Sequence, residues 1–490
     1  MASHRFSVFF GVASVFLGLK TAPVHAQAPP EVASETARQM QGSPLAEQKD
    51  DAAAEALRSL YVPGGLTSTQ AVTQIAATSP DLDRAKTLLL DAKGGAMQAM
   101  SALVPRLELL GRYSRLSPVD NSTTFEGEFD IPGLGVGTFS IPVDFPALTQ
   151  QIASDATLIY SFTNSLAEAL PAYRAAKKNK ISAAYQIEAE RNNVAFAARQ
   201  AYYEFARAEA GLGVANFALE AAVSQRKETE ALVEAGSAAR VDLMRVQAQE
   251  EAAKVAVERA KFGLQVATRS LQALMHTEEL PTLGEDLSEP VGGVPTEPES
   301  ALKERAFRER PDLRALRAYV EASKHQLRSA IGGKLPDLLI RGSAQYSNPN
   351  LRVFPQQERF AATWEAGAVI RWAPNDTVRA QGRSKQLQAE LERAHADVDQ
   401  LEIAIRVEVA EGYHGMLAAR SAMDSARLGL SAAREGYRVT REQLQAGIVN
   451  TTTLLQAQSE LIRAQVDVVE SAIGLRIAKA TLLRAIGETP

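Results

Sequence analysis

The chain contains two copies of one pattern, and that duplication limits its fold more than any other feature. Tyr202 pairs with Tyr413 and Gly236 with Gly447, both at a separation of 211 (413−202, 447−236). Pro80-Asp81-Leu82 matches Pro311-Asp312-Leu313, and Pro105 matches Pro336, both at 231 (311−80, 336−105). A repeat of fixed period implies two similar structural units that share a core. Any fold assigned to one half must therefore hold for the other. The separation falls from 231 to 211 across the intervening segment, so the first copy carries about 20 extra residues there.

Both copies end in long helices. From Thr451 to Ile486, Leu454, Leu461, Val468, Leu475 and Leu482 recur every seven residues, and Ala457, Ala464, Ser471, Ala478 and Ala485 follow three places behind. A seam with a large residue at one position and a small one at the other suits long helices packed closely side by side. In the first copy Leu243, Val257, Leu264 and Leu271 keep the spacing, and Glu250 breaks it once. A glycine turn precedes each returning helix, at Ala235-Gly236 and Ala446-Gly447. Before these turns run helical stretches from Leu166 to about Glu234 and from Asp376 to about Ala446. Each has roughly 70 residues, or about 105 Å at the α-helical rise. Pro171 and Pro374 fall near the helix starts, where proline is tolerated. Upstream, Thr67–Val104 reads as helical, with a boundary at Ser79-Pro80-Asp81. Ala, Leu, Glu, Arg and Gln dominate and aromatics make up only 6%, which favours long helices over layered α/β cores.

Each copy also holds two segments of period two. Leu107, Leu109, Gly111 and Tyr113 alternate with Glu108, Leu110, Arg112 and Ser114; Leu338, Ile340, Gly342, Ala344 and Tyr346 alternate with Leu339, Arg341, Ser343 and Gln345. Return strands follow: Ala156, Leu158, Tyr160 and Phe162 against Thr157, Ile159, Ser161 and Thr163; Trp364, Ala366, Ala368, Ile370 and Trp372 against Thr363, Glu365, Gly367, Val369 and Arg371. Strands of about nine residues with aromatics near their ends fit a transmembrane barrel, apolar toward lipid and polar toward the lumen. Two amphipathic hairpins on a soluble core are the alternative. The connecting loops span Ser117–Ser154 and Ser347–Phe360. Gly133-Leu134-Gly135-Val136-Gly137 resembles a phosphate loop only in its glycines; it lacks the strand-to-helix setting and the Lys-Ser/Thr pair, so a flexible surface loop is expected.

At the N-terminus, His4 and Arg5 precede an apolar run from Phe6 to Leu19, and Val24-His25-Ala26 offers small residues for cleavage. This reads as a signal peptide over residues 1–26, with an uncleaved anchor as the alternative. A polar segment covers 27–66, with a short helix near Leu45–Leu60. The first repeat covers 67–280, a linker across the outside of the bundle 281–300, and the second repeat 301–487.

The expected fold is mainly α with a small β part. Four strands cannot close a barrel, and open sheet edges cannot face lipid. Copies must combine: two give eight strands, too narrow for an aqueous route, and three give twelve. At this point the chain resembles the TolC-like outer-membrane efflux proteins over nearly its whole mature length. The resemblance rests on the duplicated element order, on Arg310-Pro311-Asp312-Leu313 and on the stretch from Gly447 through Leu455-Gln456-Ala457-Gln458. It implies a homotrimer with a 12-stranded β-barrel in the outer membrane of a Gram-negative bacterium and an α-barrel in the periplasm. It also implies passive conduction, for efflux or type I secretion, with a periplasmic adaptor and an inner-membrane pump or ABC transporter as partners.

By the same resemblance, the turns at Gly236 and Gly447 mark the tip where the adaptor docks and the channel narrows. Asp242 would line that constriction, with Asn450 and Thr453 at the corresponding turn of the second repeat. The other reading of Asp242 is a helix N-cap. No Arg or Tyr near Gly447 matches the family's latch. Tyr113, Tyr160, Phe162, Tyr346, Trp364 and Trp372 are expected to form lipid-facing girdles. A net charge of −5 gives no reason to expect nucleic acid. No cysteine, no spaced histidine set and no G-x-S-x-G elbow point to catalysis, a metal or a cofactor. An exported periplasmic coiled-coil scaffold without channel activity is the competing function.

Overall fold

The computed structural model describes residues 58, 61–117, 122–144, 149–236, 238–289, 291–292, 296–354 and 357–490. The expected signal peptide and, save for Arg58, the Leu45–Leu60 helix lie outside the described residues. All the elements below belong to one unit, Ala52–Pro490.

The chain opens with α1 (Ser68–Thr78) and α2 (Pro80–Ser101), then β1 (Arg106–Arg115), β2 (Ser122–Ile131), β3 (Gly135–Asp144) and β4 (Gln150–Ser161). One helical turn (Phe162–Asn164) and a π turn (Ser165–Ala169) lead into α3 (Leu170–Glu234), which reverses into α4 (Arg240–Met275). The second copy follows as α5 (Glu299–Glu309), α6 (Pro311–Gly332), β5 (Asp337–Asn348), β6 (Ala361–Arg371), α7 (Pro374–Gln445) and α8 (Thr451–Ile486). Local chemistry sets the boundaries. Thr67 caps α1 in a reciprocal box with Gln70. Ser79 caps α2 ahead of a proline at the first helical position, where the missing N–H costs nothing.

The copies match to the residue. Helix α1 maps onto α5 and α2 onto α6 at 231 (299−68, 311−80), and α4 maps onto α8 at 211 (451−240, 486−275). The structure refines the change between those offsets. The helices after the return strands begin at Phe162 and Pro374, a separation of 212. The loop therefore accounts for 19 extra residues (231−212), and the π turn at Ser165–Ala169 takes up the last one (212−211). A π turn is how a helix absorbs one inserted residue without losing its axis. Its surroundings hold it: Ser329 donates to the Glu168 carbonyl at 2.9 Å, and a Cβ at Gly332 would overlap the Ala167 carbonyl oxygen.

Three apolar clusters run along the helices. The largest joins α3 (Tyr202, Tyr203, Ala206, Ala210) to α8 (Leu461, Val468, Val469, Ala472, Ile473). Of the heptad positions of α8, Leu454, Leu461, Val468 and Leu482 are buried. The heptad break in α4 is an ion pair: Glu250, 8% exposed, accepts from Arg226 at 2.5 Å and meets Lys254 at 2.8 Å. The hydrogen bonds from Lys254 and Arg226 hold its carboxyl below the usual range. The equivalents in the second copy are Leu461 and Tyr437 (250+211, 226+211), which pack in the apolar cluster.

Two sequence expectations are corrected. The Gly133–Gly137 stretch is the turn and first rungs of a β-hairpin, β2–β3, not a flexible loop. Gly127 lies opposite Phe139 and Gly137 opposite Phe129, so each ring covers the glycine facing it. Nor does the 281–300 linker run over the outside throughout. Leu283 and Leu287 are fully buried, Leu283 bridges Leu66, and Arg476 reaches Glu285 at 3.2 Å and the Asp286 and Glu289 carbonyls at 3.1 Å. Tyr203 donates to the same Glu285 carboxylate at 3.0 Å; burial, with that carboxylate beside it, pushes its pKa up to about 12.

Candidate channel wall and tip

The four long strands form one antiparallel sheet in the order β1-β4-β5-β6, with β1 and β6 as open edges. Its register sorts the side chains. Leu109 faces Ala156, Ala156 faces Ala344, and Ala344 faces Trp364; Tyr113 faces Ile152, and Tyr160 faces Ile340. Facing residues in a sheet share a side. The apolar sets of all four strands therefore fall together, interrupted by Ser154 and ending in Arg115, Gln150 and Asn348 at the loop end. The opposite side carries Arg106, Glu108, Arg112, Asp155, Asp337, Arg341, Glu365 and Arg371. The apolar side has no cover: Trp364 is 79% exposed and Ile370 75%.

The expected girdle residues take two levels on that apolar side. Tyr113, Tyr346 and Trp364 lie toward the loop end of the sheet, and Tyr346 stacks on Phe360 with centroids 5.1 Å apart. Tyr160 lies at the helix end. Phe162 and Trp372 stand just past the strands, Phe162 in the first helical turn with its ring edge-on to Tyr160 at 6.4 Å. Among the described residues no helix is long and apolar enough to cross a membrane.

At the far end of the helical hairpins, Gly236 (φ 72°) and Gly447 (φ 73°) terminate α3 and α7. Ala238 N–H reaches back to the Leu232 carbonyl at 3.1 Å, and Ile448 N–H to that of Gln443 at 2.9 Å. These are left-handed caps, a conformation that a Cβ disfavours. The two turns then diverge. Asn450 caps α8, accepting from the Thr453 N–H and hydroxyl, both at 3.0 Å. Ala239 occupies the cap position of α4 without a side-chain bond, so Asp242 is not an N-cap; it is the acid of the first turn. Asp242 pairs with Arg245 at 3.2 Å, and Arg245 also donates to the Thr452 hydroxyl at 3.3 Å. One guanidinium thus ties Asp242 to the turn of the other repeat. Arg245 was not among the residues expected at the tip, because it lies in the first repeat and not beside Gly447. The i,i+3 spacing from Asp242 was the available signal.

The motif at residues 310–313 has a physical role as well. Arg310 sits between α5 and α6, nearly buried. Its guanidinium grips Asp312 at 2.7 and 3.1 Å, pairs with Glu408 of α7 and donates to the Ala485 carbonyl near the end of α8 at 3.3 Å. A charged donor at the carbonyl end of a helix is favourable.

Residues 302–488 match the sequence model of the outer membrane efflux proteins. The fold carries the likeness across both repeats. The outer membrane channel CmeC of Campylobacter jejuni superposes with a TM-score of 0.69 at 15% identity, covering 87% of this chain and 89% of that one. The outer membrane protein VceC of Vibrio cholerae gives 0.68 at 18% identity, covering 86% and 96%. The second repeat carries the outer membrane efflux sequence pattern, and the chain has the fold of these outer membrane channels. Among sequence relatives, protein CyaE of Bordetella pertussis is 29% identical over 298 residues, 59% of this chain and 60% of that protein. The outer membrane efflux protein BepC of Brucella suis is 23% identical over 280 residues, 55% and 58%. The chain thus matches about 60% of the length of these curated relatives.

Proposed function

We propose that three copies of the chain close a twelve-stranded barrel in the outer membrane, continued by their helical hairpins as a tube through the periplasm. The tube conducts solutes passively outward, in efflux or type I secretion. Energy comes from an inner-membrane pump or ABC transporter joined to the tip by a periplasmic adaptor. The observation that carries this reading is the sheet itself: one mainly apolar side, one charged side and two unpaired edges. Bare strand edges are intolerable in lipid, and only closure removes them. The long hairpins, with α3 of 65 and α7 of 72 residues, reach about 100 Å, the scale of a periplasmic conduit.

The tip, with Gly236, Asp242, Gly447, Asn450 and Thr453, is the constriction and the docking point. Three Asp242 carboxylates, each steadied by Arg245, form an acidic ring that favours cations. The test is single-channel recording of the purified protein in planar bilayers. Pores with cation preference are expected, and Asp242→Ala should reduce that preference severalfold. Pores whose selectivity ignores Asp242 would remove the ring from the gate. A water-soluble protein that never forms pores would fit an exported coiled-coil scaffold instead.

A further inference from the structure

The hairpin β2–β3 is an addition that the repeated fold does not need. The second copy joins β5 to β6 by a shorter connection, while the first builds a separate two-stranded sheet at the same place. Strands β2 and β3 pack on each other and on no other element to a comparable extent. We propose that this hairpin is a docking edge for a cationic peptide segment in extended conformation. The segment adds to β2 as a third strand, with its apolar residues on the phenylalanine side and its basic residues on the acidic side. The proposal rests on the outer-membrane reading above only for where the edge faces, which is away from the cell.

Three features of the hairpin fit that one occupant. The register puts Phe125 opposite Ile141, Gly127 opposite Phe139, Phe129 opposite Gly137 and Ile131 opposite Gly135, so these apolar residues share one side of the ribbon. That side is open: Phe125 is 56% exposed and Ile141 52%. A contiguous apolar face on an element that packs against nothing marks an interaction surface. The opposite side carries Glu126, Glu128 and Asp130 in a row along β2. Residues 117–149 hold five acidic side chains and no Lys or Arg, so the segment supplies no charge to neutralise them. The third feature is the backbone. A two-stranded sheet leaves an outer row of N–H and C=O groups on each strand. Pro142 removes a donor from β3, whereas β2 contains no proline, so the edge of β2 is the one equipped to pair.

Other occupants meet only part of this. A lipid surface would cover the phenylalanines and leave the β2 edge without hydrogen bonds. A second copy of the hairpin, edge to edge, would bring two acidic rows together, and like charges across a strand pair repel. An extended cationic segment satisfies all three features. It forms main-chain hydrogen bonds along β2, sets apolar side chains beside Phe125, Phe129 and Ile131, and sets Lys or Arg beside Glu126, Glu128 and Asp130. Selectivity comes from alternation, because successive residues of a strand point to opposite sides.

The probe is a labelled ten-residue peptide alternating Val and Lys, titrated by fluorescence anisotropy against the purified full chain in detergent. Binding is expected, and Glu126→Lys/Glu128→Lys/Asp130→Lys should weaken it at least tenfold. That variant should instead take the peptide alternating Val and Glu, which the natural protein does not bind. The three side chains are exposed, and equal native mass of variant and natural protein shows the assembly intact. Methylating alternate backbone nitrogens of the Val-Lys peptide should also cost at least tenfold. No binding, no switch of preference in the variant, or equal binding of the methylated peptide overturns the proposal. Phe125→Cys supplies a single cysteine, which should react with a maleimide in detergent and be shielded by the peptide. Shielding by phospholipid vesicles alone, or in detergent before any addition, gives the face to lipid or to a second copy and overturns the proposal. Binding in detergent but not to intact cells overturns the outward placement and leaves the docking edge standing.

Discussion

At the residue scale, the two copies differ most informatively where one replaces carbon with charge. Arg226 and Glu250 occupy the positions of Tyr437 and Leu461. A buried ion pair gains little over an apolar pair of similar shape, and removing one partner costs far more than replacing both. Arg226→Tyr/Glu250→Leu should therefore keep or raise the thermal midpoint, whereas Arg226→Ala alone should lower it. The pH dependence follows from the lowered carboxyl pKa of Glu250. Its contribution is complete above the unfolded glutamate value of about 4.3 and is lost as pH falls through the lower folded value. The midpoint of the natural protein should exceed that of Glu250→Gln at pH 7, and the gap should close below about pH 4. A constant gap across that range would show that the carboxylate charge adds nothing. A second contrast lies at the helix ends. Gly487 ends α8 at φ 90°, and His276 ends α4 at φ 51° in the equivalent place (276+211). The glycine is required there because a Cβ would also press on the Arg310 backbone.

At the element scale, the long helices and the four barrel strands were legible because each rests on a repeated period, seven for the helices and two for the strands. The second hairpin was not, because its glycines read as flexibility. The missed signal was alternation: Phe125, Gly127, Phe129 and Ile131 on one strand, and Gly135, Gly137, Phe139 and Ile141 on the next. Glycine followed the phenylalanines across the pair, which only the register reveals. Gly127→Val should collide with the Phe139 ring and unpair the hairpin, giving new protease cleavage within 122–144 while the four-stranded sheet stays resistant. Unchanged resistance of 122–144 would count against the ring-over-glycine packing. The linker was misread for a different reason. Leu283 and Leu287 are two apolar residues among prolines and glycines, too few to show a period, and only their burial against Tyr202 and its neighbours exposes their role. The tip was half legible. Its glycines and Asp242 stood out, but the tie from Arg245 to Thr452 crosses 207 residues and left no local mark.

At the scale of the whole molecule, the chain is unfinished in three matching places. The sheet has two bare edges, its apolar side faces no core, and α4 and α7 carry exposed apolar residues, Phe262 and Leu417, where their counterparts Ile473 and Ala206 are buried. A single remedy serves all three, a ring of copies closed around one axis. The most direct measurement is the mass of the natural protein extracted from membranes, by native mass spectrometry or light scattering corrected for bound detergent. Three chains per particle, released only by detergent, is the result expected. A monomer that stays in solution without detergent would contradict the barrel and everything assigned to it.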